Sequence, residues 1–424
     1  MILKSSVQQA AAGKCACNDV GVSMRVQNAR RSRAGSGESD SSSGPRRLLV
    51  VSHPAVVSVN QEVYRELSRR GWEVTLVVPS RWRHDYSESD IVPRALEGLE
   101  SALRPLPVAL PGRQQRHVYL TSARLQCRRA RPDVAFIEEE PFALSAAQWG
   151  FTFSRLGVPF GVQSYENIDR ALPAPVRWLR TRVLARAAFV AARSQTAGEL
   201  ARRWGARGEI ALTPPAVPAL ERPDGEPREH ARPFTVGYAG RLIESKGLLD
   251  LLAAVRALAA PVELVLIGDG ALHGQLEGQP IPGSRVRVLD DLRHEQMGAG
   301  YAQLDVLVLP SHTTPTWKEQ FGRVIIEALW CGVPVVGSDS GEIPWLIGLT
   351  GGGLVFAEGR PEQLAARLRE LRASPALRAE LAATGKAAVE AMFTVPAATD
   401  PLERLLEHAA GHTARRAGGP SAPS

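Results

Sequence analysis

Apolar and polar positions along this chain repeat one unit: a short apolar run, a polar turn, then an amphipathic stretch. The first run is RRLLVVSH (46–53), a predicted strand. It is followed by PAVVSVNQEVYRELSRRG (54–71), a predicted helix ending at Gly71, and by WEVTLVVP (72–79), the next strand. That alternation is the opening of a doubly wound parallel sheet. DVAFIEEEPF (133–142) is a strand running into three carboxylates, Glu138, Glu139 and Glu140. GVPFGVQSYENIDR (157–170) is a strand followed by a polar loop. AFVAARSQTAGELARRWG (188–205) is a strand and a helix capped near Ser194 or Thr196.

A proline- and charge-rich stretch at 214–233 then breaks the pattern and reads as a linker. A second series starts with FTVGYAGRL (234–242) and a helix after GRLIESKG, with strands at 262–270, 286–292 and 304–311. GLVFAEG (353–359) precedes one or two further helices. The predicted architecture is α/β, two Rossmann-like doubly wound domains facing a cleft, at 46–225 and 226–395. Residues 1–45, rich in Ser, Gly, Arg and Ala, and the tail 412–424 are expected to be disordered, since neither can bury a core.

Composition narrows the class. The chain has 424 residues, 44% apolar and 22% charged, long enough for two full cores and typical of a soluble protein. No uninterrupted apolar run of about 18 residues and no apolar leader region is found, so a cytoplasmic setting is expected. The four cysteines, Cys15, Cys17, Cys127 and Cys331, form neither a metal-ligand set nor a disulfide framework. The net charge of +7 is uneven: +8 over 46–225 and −4 over 226–424. Lysine supplies only five of 51 basic residues, so Lys246 and Lys318 stand out. Arg-rich segments at 113–132 and 176–188, both read as helices, account for much of the first half's charge. With Trp178 and Leu179 beside Arg177, Arg180 and Arg186, they suit an anionic membrane surface, and equally a solvated helix face. No nucleic-acid-binding module is present.

The stretch 310–347 carries the candidate chemistry. Glu319 and Glu327 stand eight positions apart around Phe321-Gly322-Arg323, the predicted entry to a helix, with Glu327 two turns in. At about 1.5 Å rise per residue the carboxylates lie roughly 10 Å apart, suited to gripping two ends of an extended ligand. The first-turn N–H groups between them favour an anion. Two hydroxyl-binding carboxylates flanking an anion site suit a sugar linked to a diphosphate and a nucleoside. The plain alternative is a pair of surface helix charges, but the loop follows a buried strand, where open α/β sheets place ligands.

EQFGRVIIEALWCGVPVVGSDSGEIP resembles the E-x-F-G-x-x-x-x-E signature of the retaining family 4 (group 1) glycosyltransferases of the GT-B fold. GYAGRLIESKG (237–247) resembles their G-R-x-x-x-x-K-G segment. The resemblance implies that Arg241 and Lys246 hold the donor diphosphate, Glu319 binds hydroxyls of the transferred sugar, and Glu327 binds the ribose. It implies backbone N–H contacts from Phe321, Gly322 and Arg323, close phosphate approach at Gly240, and a last helix (396–411) crossing back to the first domain. The nucleotide-sugar donor is then a substrate, with no cofactor. The acceptor is an unidentified glycan, lipid-linked or small molecule, and no nucleic acid is a partner. The resemblance also implies retention without a side-chain base, in polysaccharide, glycolipid or glycoconjugate synthesis. No D-x-D occurs in the donor half, so metal independence is expected. The chain departs from the family pattern at VLDDLRHEQ (288–296) and PPAVP (214–218).

Acceptor-side candidates are His53, Glu138 and its neighbours, Glu166 and Asn167, all at predicted strand ends; capping and packing roles are the plain alternatives. Gly268-Asp269-Gly270 with Gly274 is a faint dinucleotide fingerprint, but His273 occupies the position of its third glycine. The rival functions are a GT-B epimerase or phosphorylase, and a non-catalytic binder of nucleotide sugar or glycan. Placement on the inner membrane face is compatible with all of them.

Overall fold

The computed structural model describes residues 45–83, 90–217, 220, 233–277, 281, 283–290, 292 and 296–417. The expected disorder of 1–44 and of 418–424, and most of the 214–233 linker, lie outside the described residues; residues 412–417, also expected to be disordered, instead continue the last helix. The N-terminal half runs β1 (Arg47–Ser52), α1 (Glu62–Arg69), β2 (Glu73–Pro79), β3 (Trp82–Arg83), β4 (Asp90–Ile91), β5 (Leu103–Leu106), β6 (Val108–Ala109) and β7 (Val118–Tyr119). It continues with α2 (Ala123–Ala130), β8 (Val134–Glu138), α3 (Leu144–Leu156), β9 (Phe160–Ser164), α4 (Ala174–Leu184), β10 (Phe189–Ala192), α5 (Gln195–Arg203) and β11 (Glu209–Leu212). The C-terminal half runs β12 (Phe234–Ala239), α6 (Leu248–Ala257), β13 (Val262–Ile267), α7 (His273–Glu277), β14 (Arg285–Leu289), α8 (Met297–Tyr301) and β15 (Val306–Leu309). It ends with α9 (Arg323–Trp330), β16 (Val335–Ser338), α10 (Ile343–Thr350), β17 (Gly353–Phe356), α11 (Pro361–Ala373), α12 (Pro375–Met392) and α13 (Val395–Ala417).

Two sheets result, in the orders β11-β10-β9-β8-β1-β2-β5 and β14-β13-β12-β15-β16-β17. Every pairing within them is parallel. In each the chain starts in the middle, winds outward to one side, then returns to the other. The order therefore reverses at β1/β8 and at β12/β15, where loops diverge and leave a crevice at the strands' C-terminal ends. The buried strands explain their apolar runs: Leu48 to Val51 and Val306 to Leu309 are inaccessible on both faces.

Local chemistry adjusts several expected boundaries. Residues 54–61 form two short 3-10 turns, and the α-helix begins only at Glu62; Pro54 fits the first turn because it lacks an N–H. The segment 113–132 is not one helix. Leu110 and Gly112 take positive φ and turn the chain into the β6–β7 hairpin. Helix then starts after Ser122, whose side chain caps it, and ends at Arg131 in the left-handed region. Ser194, not Thr196, caps α5 by accepting from the Ala197 N–H.

The chain crosses between the sheets twice. After β11 it enters the second core at Val217, whose N–H donates to the Phe393 carbonyl (2.7 Å) just before the second crossing. Beyond it α13 lies on the first sheet, burying Leu402, Leu405 and Leu406 against Leu67 and Trp72. Arg70 binds Asp400 (2.8 Å) and Glu403 (2.6 Å) of that helix, and Arg46 binds Glu407.

Candidate active site

The loop after β12 carries Gly240, Arg241 and Lys246; the loop after β15 carries Ser311 to Gln320. Their spacing is fixed by backbone touching backbone. A Cβ on Gly247 (φ 68°) would stand 1.9 Å from the Pro310 carbonyl oxygen, and one on Gly341 (φ 57°) would stand 2.0 Å from the Glu319 oxygen. Only glycine allows both approaches. The Gly268–Gly270 turn braces the same region: the Gly240 N–H donates to the Ile267 carbonyl and the Leu242 N–H to that of Asp269, both at 2.9 Å. A bracing turn is thus the observed place of the faint fingerprint.

These contacts bring Lys246 and Glu319 together. Lys246 Nζ lies 2.6 Å from Glu319 Oε2, which also accepts from Ser311 Oγ at 3.0 Å. The ammonium also sits 4.4 Å from the centroid of the Trp317 ring. A lysine at a helix start opposes the helix dipole; here the buried Glu319 carboxylate offsets that conflict. The backbone carbonyl of Glu319 accepts from Asn167 Nδ2 of the first sheet at 2.8 Å, so Asn167 bridges the cleft.

Gly322 enters α9 in a left-handed conformation (φ 78°), and no side chain caps the helix, leaving first-turn N–H groups of Arg323 and its neighbour open to a ligand. Glu327 is the fifth residue of α9, one turn in rather than two, because the helix starts as late as Arg323. It is buried and accepts from Tyr301 Oη at 2.7 Å. The Phe321 side chain is fully buried against Trp345 and Phe393, so only its backbone is available to a ligand. Tyr238 Oη donates to the Arg241 carbonyl at 2.8 Å and so fixes the backbone bearing that guanidinium.

A cavity of about 500 Å³ separates the sheets, lined by His53, Glu138 to Glu140, Gln163, Tyr165, Glu166 and Arg193 on one side and by Trp317, Gln320 and Arg323 on the other. His53 follows β1, and its Nδ1 lies 2.6 Å from Glu139 Oε2, while His117 Nε2 approaches the other oxygen at 3.5 Å. Burial pushes the Glu139 carboxyl up, but the two imidazoles outweigh it and hold the group at about 2. Burial pulls His117 down and Glu139 outweighs that, leaving His117 above the usual imidazole value. His53 is therefore oriented through Nδ1 by a buried anion, with its ring beside Trp82 (4.9 Å), and the residue lines the cavity.

Glu138 is saturated, accepting from Ser52 Oγ (2.6 Å), Tyr64 Oη (2.5 Å) and Arg193 Nη2 (2.7 Å). Glu166 accepts from Arg170 Nε (2.7 Å) and the Ile168 N–H (3.1 Å), which shapes its own loop. Glu140 differs: Oε1 accepts from the N–H groups of Tyr165 (2.8 Å) and Glu166 (3.1 Å), but Oε2 is sealed from solvent and has no partner. Burial, with Glu166 and Glu139 nearby, pushes this carboxyl up to about 8 against the pull of those N–H groups. The folded chain thus holds a proton that the unfolded chain releases near pH 4.5, and stability falls as pH rises through that window towards 8. Glu140→Gln carries no such proton. It is expected to flatten this slope in denaturant titrations run from acid to alkaline pH, and an unchanged slope would refute the assignment.

Sequence reasoning did not single out Tyr301, Ser311, His117 or Gly341. Tyr301 precedes the predicted strand at 304–311 and Ser311 ends it; their contacts depend on α8 and the loop folding back. His117 was hidden in a segment read as helix.

Two family models match. "Glycosyl transferases group 1" covers residues 233–374, and "Glycosyl transferase 4-like domain" covers 55–216. The chain is 28% identical to a D-inositol 3-phosphate glycosyltransferase of Segniliparus rotundus over 55% of its own length and 57% of that protein's. It is 30% identical to a GDP-mannose-dependent monoacylated alpha-(1-6)-phosphatidylinositol monomannoside mannosyltransferase of Corynebacterium glutamicum over 39% of its own length and 45% of that protein's. The matched region thus spans about half the length of these curated relatives. Among solved structures, sucrose-phosphate synthase from Thermosynechococcus elongatus superposes with a TM-score of 0.65 at 18% identity, covering 86% of this chain and 98% of that one. HepE from Anabaena in complex with UDP gives 0.62 at 17%, covering 85% and 100%. These likenesses show the two-domain GT-B fold.

Proposed function

The chain belongs to the group 1 (family 4) glycosyltransferases of the GT-B fold, and from that premise we propose that it moves a hexose-like sugar from a nucleotide-sugar donor to an acceptor hydroxyl with retention. Polysaccharide, glycolipid or glycoconjugate synthesis in the cytoplasm is the setting proposed. The observation that carries the reading is the Lys246–Glu319 pair, 2.6 Å apart, which lies behind the cavity wall. Trp317, whose ring meets the ammonium, Gln320, next to Glu319 in the chain, and Arg323, at the uncapped start of α9, line the cavity itself. A donor diphosphate offers Lys246 and Arg241 a stronger anionic partner and accepts from the N–H groups at Gly322 and Arg323. Glu319, released from the lysine, turns to hydroxyls of the sugar, and Glu327 takes the ribose hydroxyls. Solved neighbours are described as complexes with UDP and with UDP-glucose, which supports a nucleotide-sugar donor.

In the reaction the bond from the anomeric carbon to the phosphate oxygen breaks, and a bond to the acceptor oxygen forms on the same face. The acceptor proton passes to the departing phosphate. The cations lower the energy of the charge that develops on that phosphate. His53, held by Glu139, accepts a hydrogen bond from an acceptor or donor hydroxyl through Nε2. A divalent metal is not required in this scheme.

A thermal-shift screen of nucleotide sugars, followed by transfer to an acceptor extract and NMR of the product anomer, tests the proposal. One nucleotide sugar is expected to stabilise the chain, Glu327→Ala is expected to weaken its binding about tenfold, and chelator is expected to leave turnover unchanged. Binding with no transfer to any acceptor would overturn the transferase reading; an inverted product would overturn retention; magnesium-restored turnover would overturn metal independence.

A further inference from the structure

The first sheet is covered on one side by α2, α3 and α4, with α3 packed between the other two and against the β6–β7 hairpin. From residue 101 to 132, 141 to 165 and 170 to 198 the chain has no Asp or Glu, while the same stretches hold fourteen arginines and no lysine. The outer surface of the layer exposes Arg124 and Arg128 on α2, Arg155 on α3, Arg177 and Arg182 on α4, and Arg186 in the turn just after it. None of these six is in an ion pair with a carboxylate among the described residues, whereas Arg46, Arg47 and Arg70 elsewhere on the same sheet all are.

Apolar side chains stand among these cations. Leu120, Leu125, Leu144 and Trp178 are 65%, 41%, 39% and 53% exposed. Trp178 meets Phe151 of α3 at 6.4 Å, with Arg182 at 5.2 Å from the Trp178 ring and Arg186 at 5.6 Å from that of Phe151. Solvated helix faces do not need exposed leucines and tryptophan, and a phosphate-reading nucleic-acid surface gains little from isolated leucines. An anionic bilayer satisfies both sets, since headgroup phosphates pair with guanidinium groups and the boundary region takes the apolar tips.

We propose that this α2–α3–α4 face docks on an anionic phospholipid surface. The binding is peripheral: among the described residues no helix is long and apolar enough to cross a membrane. The hairpin that borders the face also contributes Gln114 and Gln115 to the cavity wall, so a docked chain holds its cleft mouth beside the lipid headgroups. The docking stands on surface chemistry alone and does not depend on the transfer reaction.

Co-sedimentation of the full chain with vesicles tests it. Phosphatidylcholine vesicles containing phosphatidylglycerol are expected to bind the protein, and pure phosphatidylcholine vesicles are not. Raising salt should release it, because the attraction is screened within a Debye length. Arg177→Gln, Arg182→Gln and Arg186→Gln together are expected to weaken partitioning at least tenfold, on the order of severalfold for each cation lost near the surface. Trp178→Ser should weaken it severalfold without changing the melting profile. The same three substitutions at Arg367, Arg369 and Arg372 on α11 should change nothing. Absence of binding to the anionic vesicles at low salt would overturn the proposal. So would equal losses from the α4 and α11 variants, or binding to single-stranded RNA that outcompetes the vesicles and ignores Trp178→Ser.

Discussion

Glu319→Ala is expected to lower kcat by a factor on the order of 10²–10³, the range seen when one transition-state contact is removed, while nucleotide affinity changes only about threefold. The asymmetry follows from the ion pair. In the free protein Glu319 and Lys246 neutralise each other in a half-sealed loop, each only 12% exposed in its side chain. A bound diphosphate replaces the carboxylate as the partner of Lys246, so the variant loses a contact to the sugar but keeps the diphosphate grip. Without ligand, the same variant leaves a poorly solvated ammonium without its counterion and should melt at lower temperature. Added nucleoside diphosphate should recover much of that loss. Calorimetric titration beside initial rates separates the effects. Equal, negligible changes in affinity and rate would remove Glu319 from the mechanism.

Gly341→Ala is expected, with Gly247→Ala, to be among the most damaging single methyls in the donor half. The left-handed backbone (φ 57°) costs an alanine about 1–2 kcal/mol, and its Cβ would overlap the Glu319 carbonyl oxygen at 2.0 Å. That carbonyl holds both Asn167 of the facing sheet (2.8 Å) and the Glu342 N–H (3.1 Å), so relief by movement breaks the bridge across the cleft. A total of at least about 3 kcal/mol follows, or a fall in melting temperature of roughly 6–12 °C. Gly332→Ala is the control. Its φ of 72° is similar, but a Cβ there meets nothing within 4 Å, and it should show the conformational cost alone. Similar melting temperatures for the two variants would mean that the close approach does not matter.

Much of this architecture was legible from apolar runs alone, because a parallel strand buried on both faces advertises itself, as 48–51 and 306–309 do. Glu319 and Glu327 stand out in the sequence by their spacing around a predicted helix entry, Lys246 by the rarity of lysine, and Arg241 only through the resemblance to the family. Their partners were not. Glu327 meets Tyr301, and Glu319 meets Ser311 and Lys246, through folding-back that leaves no periodic trace. The three adjacent carboxylates at the end of β8 read alike in the sequence yet differ in surroundings: Glu138 is saturated by three donors, Glu139 is charged between two imidazoles, and Glu140 holds its proton. The failed helix at 113–132 has an equally local cause, a positive-φ Leu110 and a two-residue ladder that composition does not reveal.

The return of α13 to the first sheet bears on how the chain is made. Leu402, Leu405 and Leu406 complete a core whose earlier members, from Leu48 to Ala191, precede them by more than two hundred positions. During synthesis the ribosome must produce the whole second sheet before that core can close. At about 5–20 residues per second the interval is roughly 10–40 s. For that time the α1 side of the first sheet is an open apolar surface on a nascent chain, a natural client for a ribosome-associated chaperone. The second half has no such wait, since β12 to α12 are contiguous. It is expected to resist pulse proteolysis of stalled nascent chains before the first half does, reversing the order in which the two are translated.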